Sequence, residues 1–225
     1  MKRWLPILLA LLALAASAGA KEADVGVIRI AGAIGPATAD YIARAVKVAT
    51  AEGHVCLIIE LDTPGGLLDS TKEIVQTFYG SKVPTVVYVS PSGANAGSAG
   101  TFITLAADVA AMAPNTSIGA AHPVSIGTGG EQKTDDVMKQ KLQNFASSYI
   151  ESIAQKRGRN VEWAKAAVVE SESITAEKAL ELKVIDLIAA DRADLLAKLD
   201  GREVGEHTLR TAGARTVEIP MVMRE

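Results

Sequence analysis

The chain has very few cysteine and aromatic residues. Cys56 is the only cysteine of 225 residues, and Phe, Trp and Tyr together make up 4 %. One cysteine excludes a disulfide within the chain. It lies in an apolar run, so the simplest interpretation of Cys56 is a small core residue. The abundance of alanine and glycine favours closely packed helices joined by tight loops.

Clusters of basic residues are also missing, which argues against nucleic acid as a partner. The chain has 23 Lys and Arg against 26 Asp and Glu, a formal net charge of −3. The first 20 residues contain two bases and no acid. Without that segment, 21 bases stand against 26 acids and the net charge is −5.

Residues 1–20 have the pattern of a secretory signal peptide. Lys2 and Arg3 precede an apolar run over 5–16, and Ala18-Gly19-Ala20 resembles a cleavage site. The apolar run is shorter than the roughly 20 residues of a membrane span, although an uncleaved signal anchor stays open. We expect an exported protein, periplasmic or otherwise extracytoplasmic, in which residues 21–225 form one domain.

Alternating patterns along the chain predict an α/β fold. Strands are expected at 24–31, 55–61, 83–89, 108–113 and 184–188, and short ones in the tail after residue 201. Helices are expected at 37–51, 67–78, 99–107, 134–155, 161–169, 174–180 and 192–199. Strands that alternate with helices through short loops favour a mostly parallel sheet flanked by helices.

Two loops of small residues follow neighbouring predicted strands, at 62–66 and 93–100. In open α/β sheets, sites are built at the carboxyl ends of strands. Ser98 begins a predicted helix, where free N–H groups and the helix dipole favour a developing oxyanion. We therefore predict Ser98 as a nucleophile. Its oxyanion hole would use the N–H of Ala99 and one from Gly65 or Gly66, since glycine allows a close backbone approach.

A serine nucleophile needs a base, and histidine is the usual one. His54 and His207 lie far from the predicted loop ends in sequence. His122 follows a small-residue segment, but Pro123 fixes an extended chain there and no carboxylate partner lies nearby in sequence. His122 therefore stays an alternative base.

A lysine in the longest predicted helix is a second candidate. At 100° per residue, Val137, Lys141, Phe145 and Tyr149 share one side, so Lys141 falls within an apolar stripe while Lys139 faces away. The stem of Lys141 could pack while its amine reaches water. A buried amine would instead favour its neutral form, which can accept a serine proton. The second case predicts a Ser98–Lys141 dyad.

Several motifs occur together and in a fixed order. They are Asp62-Thr63-Pro64-Gly65-Gly66, Ala96-Gly97-Ser98-Ala99-Gly100-Thr101, Ala111 to Ala120, Ala154 to Asn160, and Ile174-Thr175-Ala176-Glu177-Lys178-Ala179-Leu180 with Val184-Ile185-Asp186. Over roughly residues 25–200 the chain resembles the amino-terminal protease domain of NfeD-type membrane proteases, the partners of stomatin-like proteins. It is similar more distantly to signal peptide peptidase A and ClpP.

The resemblance implies a ClpP/crotonase-like fold of repeated β-β-α and βαβ units and a serine endopeptidase without cofactor or metal. It implies Ser98 as nucleophile and Lys141 as base. Apolar segments of membrane-associated proteins, such as stomatin-like partners, would be cleaved. Family members form homodimers or higher homo-oligomers, and longer ones continue into transmembrane helices, so association with a membrane is also implied.

Two other functions are compatible with parts of the pattern. The same fold carries crotonase-type acyl-CoA enzymes, in which paired N–H groups stabilise an enolate, although an export signal argues against coenzyme A chemistry. A non-catalytic scaffold for a membrane partner would make Ser98 and Lys141 incidental. Cleavage of an apolar peptide that is lost in Ser98→Ala would exclude the scaffold.

Overall fold

The computed structural model describes residues 23–123 and 136–221, and the predicted signal peptide lies outside this range. The helices are α1 (Pro36–Glu52), α2 (Leu68–Tyr79), α3 (Ala99–Ala106), α4 (Asp136–Lys156), α5 (Val161–Val169), α6 (Ala176–Glu181) and α7 (Arg192–Leu199). The strands are β1 (Asp24–Ala31), β2 (Leu57–Asp62), β3 (Thr85–Val89), β4 (Asn95–Gly97), β5 (Val109–Met112), β6 (Ser117–Gly119), β7 (Ser173–Thr175), β8 (Leu187–Ile188), β9 (Glu203–Val204), β10 (His207–Thr208) and β11 (Arg215–Glu218).

The main sheet has six strands in the order β11-β1-β2-β3-β5-β8. Every neighbouring pair in it is parallel, which confirms the predicted α/β class. A separate three-stranded sheet has the order β4-β6-β7, with a parallel and then an antiparallel pair. Its first strand, β4, ends directly before Ser98 and the start of α3.

Both faces of the main sheet are buried, which explains the continuous apolar runs of its central strands. In β3, Val87 belongs to the core that α1, α2 and α3 cover, while Val86 belongs to the core on the opposite face. Leu195 and Leu199 of α7 cover that second face. Cys56 packs there too, and burial raises the pKa of its thiol to about 12. It is the core residue that the sequence predicts.

Local sequence determines where the helices begin and end. Pro36 starts α1, and Gly53 ends it in the left-handed conformation at φ 71°. Asn160 caps α5 by accepting from the N–H of Trp163, and Thr175 caps α6 by accepting from the N–H of Lys178. The helix predicted from residue 174 starts only at Ala176, because the three preceding residues form β7 beside β6.

The last part of the chain returns to the opposite edge of the sheet. β9 and β10 form a short antiparallel pair, and β11 then joins β1 as the edge strand. Among the helices of the described ranges, none combines the length and apolarity that crossing a bilayer requires.

Candidate active site

The two small-residue loops lie side by side, as their positions after β2 and β3 predict. The N–H of Thr63 donates to the carbonyl of Asn95 at 2.7 Å, and the N–H of Gly97 donates to the carbonyl of Thr63 at 3.0 Å. These two bonds extend β4 alongside the loop that follows β2. The loop that carries the glycines therefore faces the loop that carries Ser98.

Ser98 has an unusual backbone conformation, with φ 48° and ψ −111°. A positive φ brings Cβ of an L-residue close to the following backbone and must be held by surrounding contacts. The N–H of Ser98 donates to the carbonyl of Gly119 at 3.0 Å, and α3 starts at the next residue. Such strain is typical of functional positions, and the side chain lines a cavity.

The backbone at Gly65 and at Gly66 packs so closely against Ser98 and Ile34 that there is no room for a Cβ atom. At Gly65, with φ 126°, an added Cβ would lie 2.6 Å from Cβ of Ser98. At Gly66, it would lie 2.1 Å from the carbonyl oxygen of Ile34. Glycine is required at both positions, and the backbone of the loop packs directly against Ser98.

The two glycines have different hydrogen bonds. The N–H of Gly65 donates to Oγ1 of Thr63 at 3.0 Å, so this group, which the sequence offered as an oxyanion donor, is engaged within its own loop. No acceptor for the N–H of Gly66 or of Ala99 is found in the described part of the chain. The first N–H groups of a helix have no partner within it. Gly66 and Ala99 therefore remain as candidate donors.

A cavity of about 310 Å³ opens beside Ser98. Most of its walls are apolar: it is lined by Gly66, Leu67, Leu68, Thr71, Ser98, Ala99, Phe102, Ala121, Pro123 and Ala146. The residues come from α2, α3 and α4, from the two loops, and from the segment that follows β6. The cavity can hold an apolar side chain next to the Ser98 hydroxyl.

Lys141 lies on the amino-terminal half of α4, where it is exposed. It is not among the cavity-lining residues. The buried residues of α4 begin at Ala146, while Met138 and Phe145 are 49 % and 43 % exposed. Within the described residues, the Lys141 side chain is therefore exposed and not buried. No other described element packs over this half of the helix closely enough to bury it.

The predicted apolar stripe nevertheless leads to the cavity. The ring of Phe145 stacks on Tyr149 with centroids 5.8 Å apart, and Tyr149 stacks on Phe102 at 6.0 Å. Phe102 forms part of the cavity wall. A continuous row of aromatic rings thus connects the exposed side of α4, one turn after Lys141, with the cavity beside Ser98.

The histidines take other positions. Nδ1 of His122 lies 3.0 Å from the carbonyl oxygen of Val168, which turns the ring towards α5, whereas its neighbours Ala121 and Pro123 line the cavity. Nε2 of His54 pairs with Glu52 at 3.0 Å. No histidine of the described residues lines the cavity, and none of their His, Cys, Asp and Glu side chains cluster as a metal site would need.

Two buried threonines of the site were missed by sequence reasoning, which only quoted them within motifs. Thr63 and Thr101 are both fully buried. The hydroxyl of Thr101 lies 3.0 Å from the carbonyl oxygens of Ala96 and Gly119. A threonine between small residues would have been the signal, since a buried hydroxyl needs a partner.

A six-stranded parallel sheet, a small second sheet and a strained serine facing a glycine loop together define an α/β protein of the ClpP/crotonase class. A family model described as the N-terminal domain of NfeD1b matches residues 24–205. The chain belongs to this family, as its motifs indicate.

Two curated relatives are similar to this chain. The membrane-bound protease PH1510 of Pyrococcus horikoshii is 39 % identical over 203 residues, which are 89 % of this chain and 45 % of that protein. The membrane protein NfeD1b of Bacillus subtilis is 31 % identical over 159 residues, 71 % of this chain and 34 % of that protein. The chain thus spans less than half the length of either relative.

Two solved structures are also similar, each with a TM-score of 0.81 and 36 % identity. Both are described as the 1510-N membrane-bound stomatin-specific protease. One is a serine-to-alanine mutant, of which the match covers 98 %, together with 88 % of this chain. The other is a lysine-to-alanine mutant in complex with a substrate peptide, of which it covers 93 %, together with 89 % of this chain.

Proposed function

We propose that this protein is a serine endopeptidase in which Ser98 is the nucleophile and Lys141 the base. The observation that carries the proposal is the strained Ser98 at the start of α3, held against Gly65 and beside an apolar cavity. The similar solved structures, named as a protease in serine and lysine mutant forms, support the same chemistry.

The steps follow from the roles proposed for these groups. Oγ of Ser98 attacks the peptide carbonyl carbon while its proton passes to the neutral amine of Lys141. The N–H groups of Gly66 and Ala99 stabilise the resulting oxyanion. When the C–N bond breaks, Lys141 returns the proton to the leaving amine. Water then attacks the acyl-enzyme, with Lys141 again taking a proton, and Ser98 is regenerated.

The proposed substrates are apolar segments of membrane-associated proteins, such as stomatin-like partners. Leu68 and Phe102 give the cavity an apolar wall, which favours an apolar side chain next to the cleaved bond. The relatives are named membrane-bound and stomatin-specific. Together with the basic and apolar pattern of residues 1–20, this supports an exported enzyme that works close to a membrane.

The proposal also includes a homo-oligomer. The Lys141 amine is exposed, and it has to be shielded from water before its neutral form, which acts as the base, is favoured. Met138 and Phe145 are large apolar residues exposed on the same half of α4. A homodimer or higher oligomer that covers this half would remove the three side chains from water, and desolvation favours the neutral amine. Sedimentation of the protein with and without Phe145→Ser would detect such an assembly.

The test is cleavage of an apolar peptide by the protein, beside its variants Ser98→Ala and Lys141→Ala. Both variants should lose at least about 10³-fold in kcat, because the nucleophile and its base act as a unit. Lys139→Ala is the matched control: it lies two residues from Lys141, is exposed, and pairs with Asp136 at 3.8 Å. It should keep parental activity to within about twofold.

Each other outcome would contradict part of the proposal. Turnover by folded Ser98→Ala would exclude Ser98 as nucleophile. Turnover by Lys141→Ala alone would exclude that base and make His122 the next residue to test. If the parent does not cleave in its oligomeric form, a non-catalytic scaffold for a membrane partner becomes the better account.

A further inference from the structure

Thr63 connects the two loops of the site through its backbone and its side chain. Its backbone bonds to Asn95 and Gly97 tie it to the strand that leads into Ser98. Its hydroxyl lies 3.0 Å from the N–H of Gly65, from which it accepts, and 3.1 Å from the carbonyl oxygen of Gly65, to which it donates. The whole residue is buried.

The methyl group of Thr63 has a separate contact. A Cβ added at Gly100, in the first turn of α3, would lie 2.6 Å from Cγ2 of Thr63. The methyl therefore packs against the helix that follows Ser98. The two substituents on Cβ of Thr63 thus act on different parts of the site, the hydroxyl on the glycine loop and the methyl on α3.

The hydroxyl of Thr63 is one of two donors that hold the carbonyl of the peptide between Gly65 and Gly66. The carbonyl of Gly65 accepts from the hydroxyl of Thr63 and, at 2.8 Å, from the N–H of Ile34. In a planar trans peptide the C=O and N–H bonds point in opposite directions. Fixing the Gly65 carbonyl on one side therefore fixes the N–H of Gly66 on the other side.

An anchor is needed because this peptide joins two glycines. Glycine populates positive and negative φ with little preference, so the backbone on either side of this peptide does little to hold its orientation. Apart from the hydroxyl of Thr63, the N–H of Ile34 alone holds the Gly65 carbonyl among the bonds of the described residues. Rotation would turn the Gly66 N–H away from the cavity and leave only Ala99 to bind an oxyanion. A donor that is not held in place contributes less to the transition state than one that is preorganised.

We propose that Thr63 is a positioning residue of the oxyanion hole. Its hydroxyl holds the Gly65–Gly66 peptide in the orientation that points the Gly66 N–H at the oxygen of the carbonyl that Ser98 attacks. This inference rests on the proposed function, because it assigns a role within the same acyl transfer.

The experiment uses the full chain and three variants, which give two comparisons between a protein with the hydroxyl and one without it. Thr63→Val replaces the hydroxyl by a methyl and keeps the contact with Gly100, so it is compared with the parent. Thr63→Ser and Thr63→Ala both lack that methyl contact, and only the first keeps the hydroxyl. If Thr63→Val fails to fold, the serine and alanine pair still isolates the hydroxyl.

The expected result is a loss of kcat of about 10- to 100-fold wherever the hydroxyl is missing, somewhat less than complete removal of one oxyanion donor costs. KM should stay within about twofold. The affinity for a peptide boronate, whose tetrahedral adduct with Ser98 puts an oxygen into the hole, should fall in parallel with kcat. Thr63→Ser should retain both, even where the lost methyl lowers its unfolding midpoint.

A merely structural role for Thr63 gives a different pattern. Activity would then follow stability, and Thr63→Ser and Thr63→Ala would lose kcat equally, which would overturn the inference. Unchanged kcat in folded Thr63→Val would also overturn it. If the parent cleaves and Ser98→Ala does not, these results concern Thr63 alone. If the parent does not cleave, the proposed function fails first.

Discussion

At the scale of single residues, Gly65 does two things that a larger residue could not. Its φ of 126° is one that L side chains rarely adopt, and its Cα faces Ser98 so closely that an added Cβ would lie 2.6 Å from Cβ of Ser98. The first property concerns the backbone alone, while the second concerns the nucleophile. A substitution with a suitable control can separate them.

Gly65→Ala should reduce cleavage by at least about 100-fold, because the new methyl displaces Ser98 and small displacements of reacting groups have effects of this size. Gly93→Ala is the control: Gly93 also has a positive φ, 91°, but nothing lies within 4 Å of a Cβ built there. Both variants should lose about 1–2 kcal/mol of stability from backbone strain. Peptide cleavage and urea unfolding measure the two effects. Equal activity of the two variants would show that the contact with Ser98 does not matter.

Residue-scale features of the site could be predicted only in part. The position of Ser98 follows from the order strand, small-residue loop, helix, which any α/β sheet places at one edge. The hydrogen bond of the Gly65 N–H to Thr63 could not be predicted, because it depends on torsion angles that a Gly-Gly sequence leaves open. For this reason the sequence left Gly65 and Gly66 as alternatives beside Ala99, and the geometry favours Gly66.

At the scale of elements, the long helix α4 shows how far periodicity can be used. The 3.6-residue pattern predicts an apolar side through Val137, Lys141, Phe145 and Tyr149, but Val137 and Phe145 are largely exposed. The buried residues of the helix are Ala146, Ile150, Ile153 and Ala154, which lie beside that stripe and not along its centre. The pattern cannot predict what covers the amino-terminal half, since that depends on groups outside the helix. Whether Lys141 is buried was therefore the least predictable feature of the site.

The segment between α4 and α5 carries Arg159, a buried side chain that bonds to the end of α3 and to Asp186. The guanidinium of Arg159 donates to the carbonyls of Leu105 and Ala107, each at 3.0 Å, and to Asp186 at 2.9 Å. It thereby satisfies carbonyls at the end of α3, which have no partner inside the helix. The Gly-Arg-Asn motif at 158–160 is thus explained by the support it gives to the helix that Ser98 precedes.

Arg159→Met should lower the free energy of unfolding by about 3 kcal/mol, because it leaves buried carbonyls and the Asp186 carboxylate without their shared donor. Lys178→Met removes an exposed ion pair with Glu181 on α6 and should change stability by less than about 1 kcal/mol. Chemical denaturation of both variants measures the difference. A loss in Arg159→Met no larger than in Lys178→Met would contradict the supporting role.

At the scale of the whole molecule, the tail of the chain adds the strand β11 to one edge of the main sheet. β11 pairs in parallel with β1, although it lies beyond residues 24–205, which match the family model. The side chain of Ile219, just after the strand, is buried in the core. The hydroxyl of Tyr41 donates to the carbonyl of Ile219, and Arg192 pairs with Glu218 at 2.7 Å.

The parallel order of the central strands could be predicted from the sequence. The return of the tail to the first strand could not, because the four residues of β11 carry too little pattern to specify a partner strand.

A chain that ends at Ala214 should therefore be less stable than the full chain by at least about 2 kcal/mol, the value for burying one isoleucine side chain. It should also self-associate, because β1 becomes an edge strand with unpaired N–H and C=O groups. The matched control ends at Met221 and keeps every contact described for β11 and Ile219. Urea unfolding tests the first expectation, and light scattering over a range of protein concentrations tests the second.

If the chain ending at Ala214 unfolds at the same urea concentration as the control and stays monodisperse, β11 contributes nothing to the fold and the family domain is complete without it. If only the shorter chain is destabilised and associates, the strand after the family domain is part of the folded unit that carries Ser98.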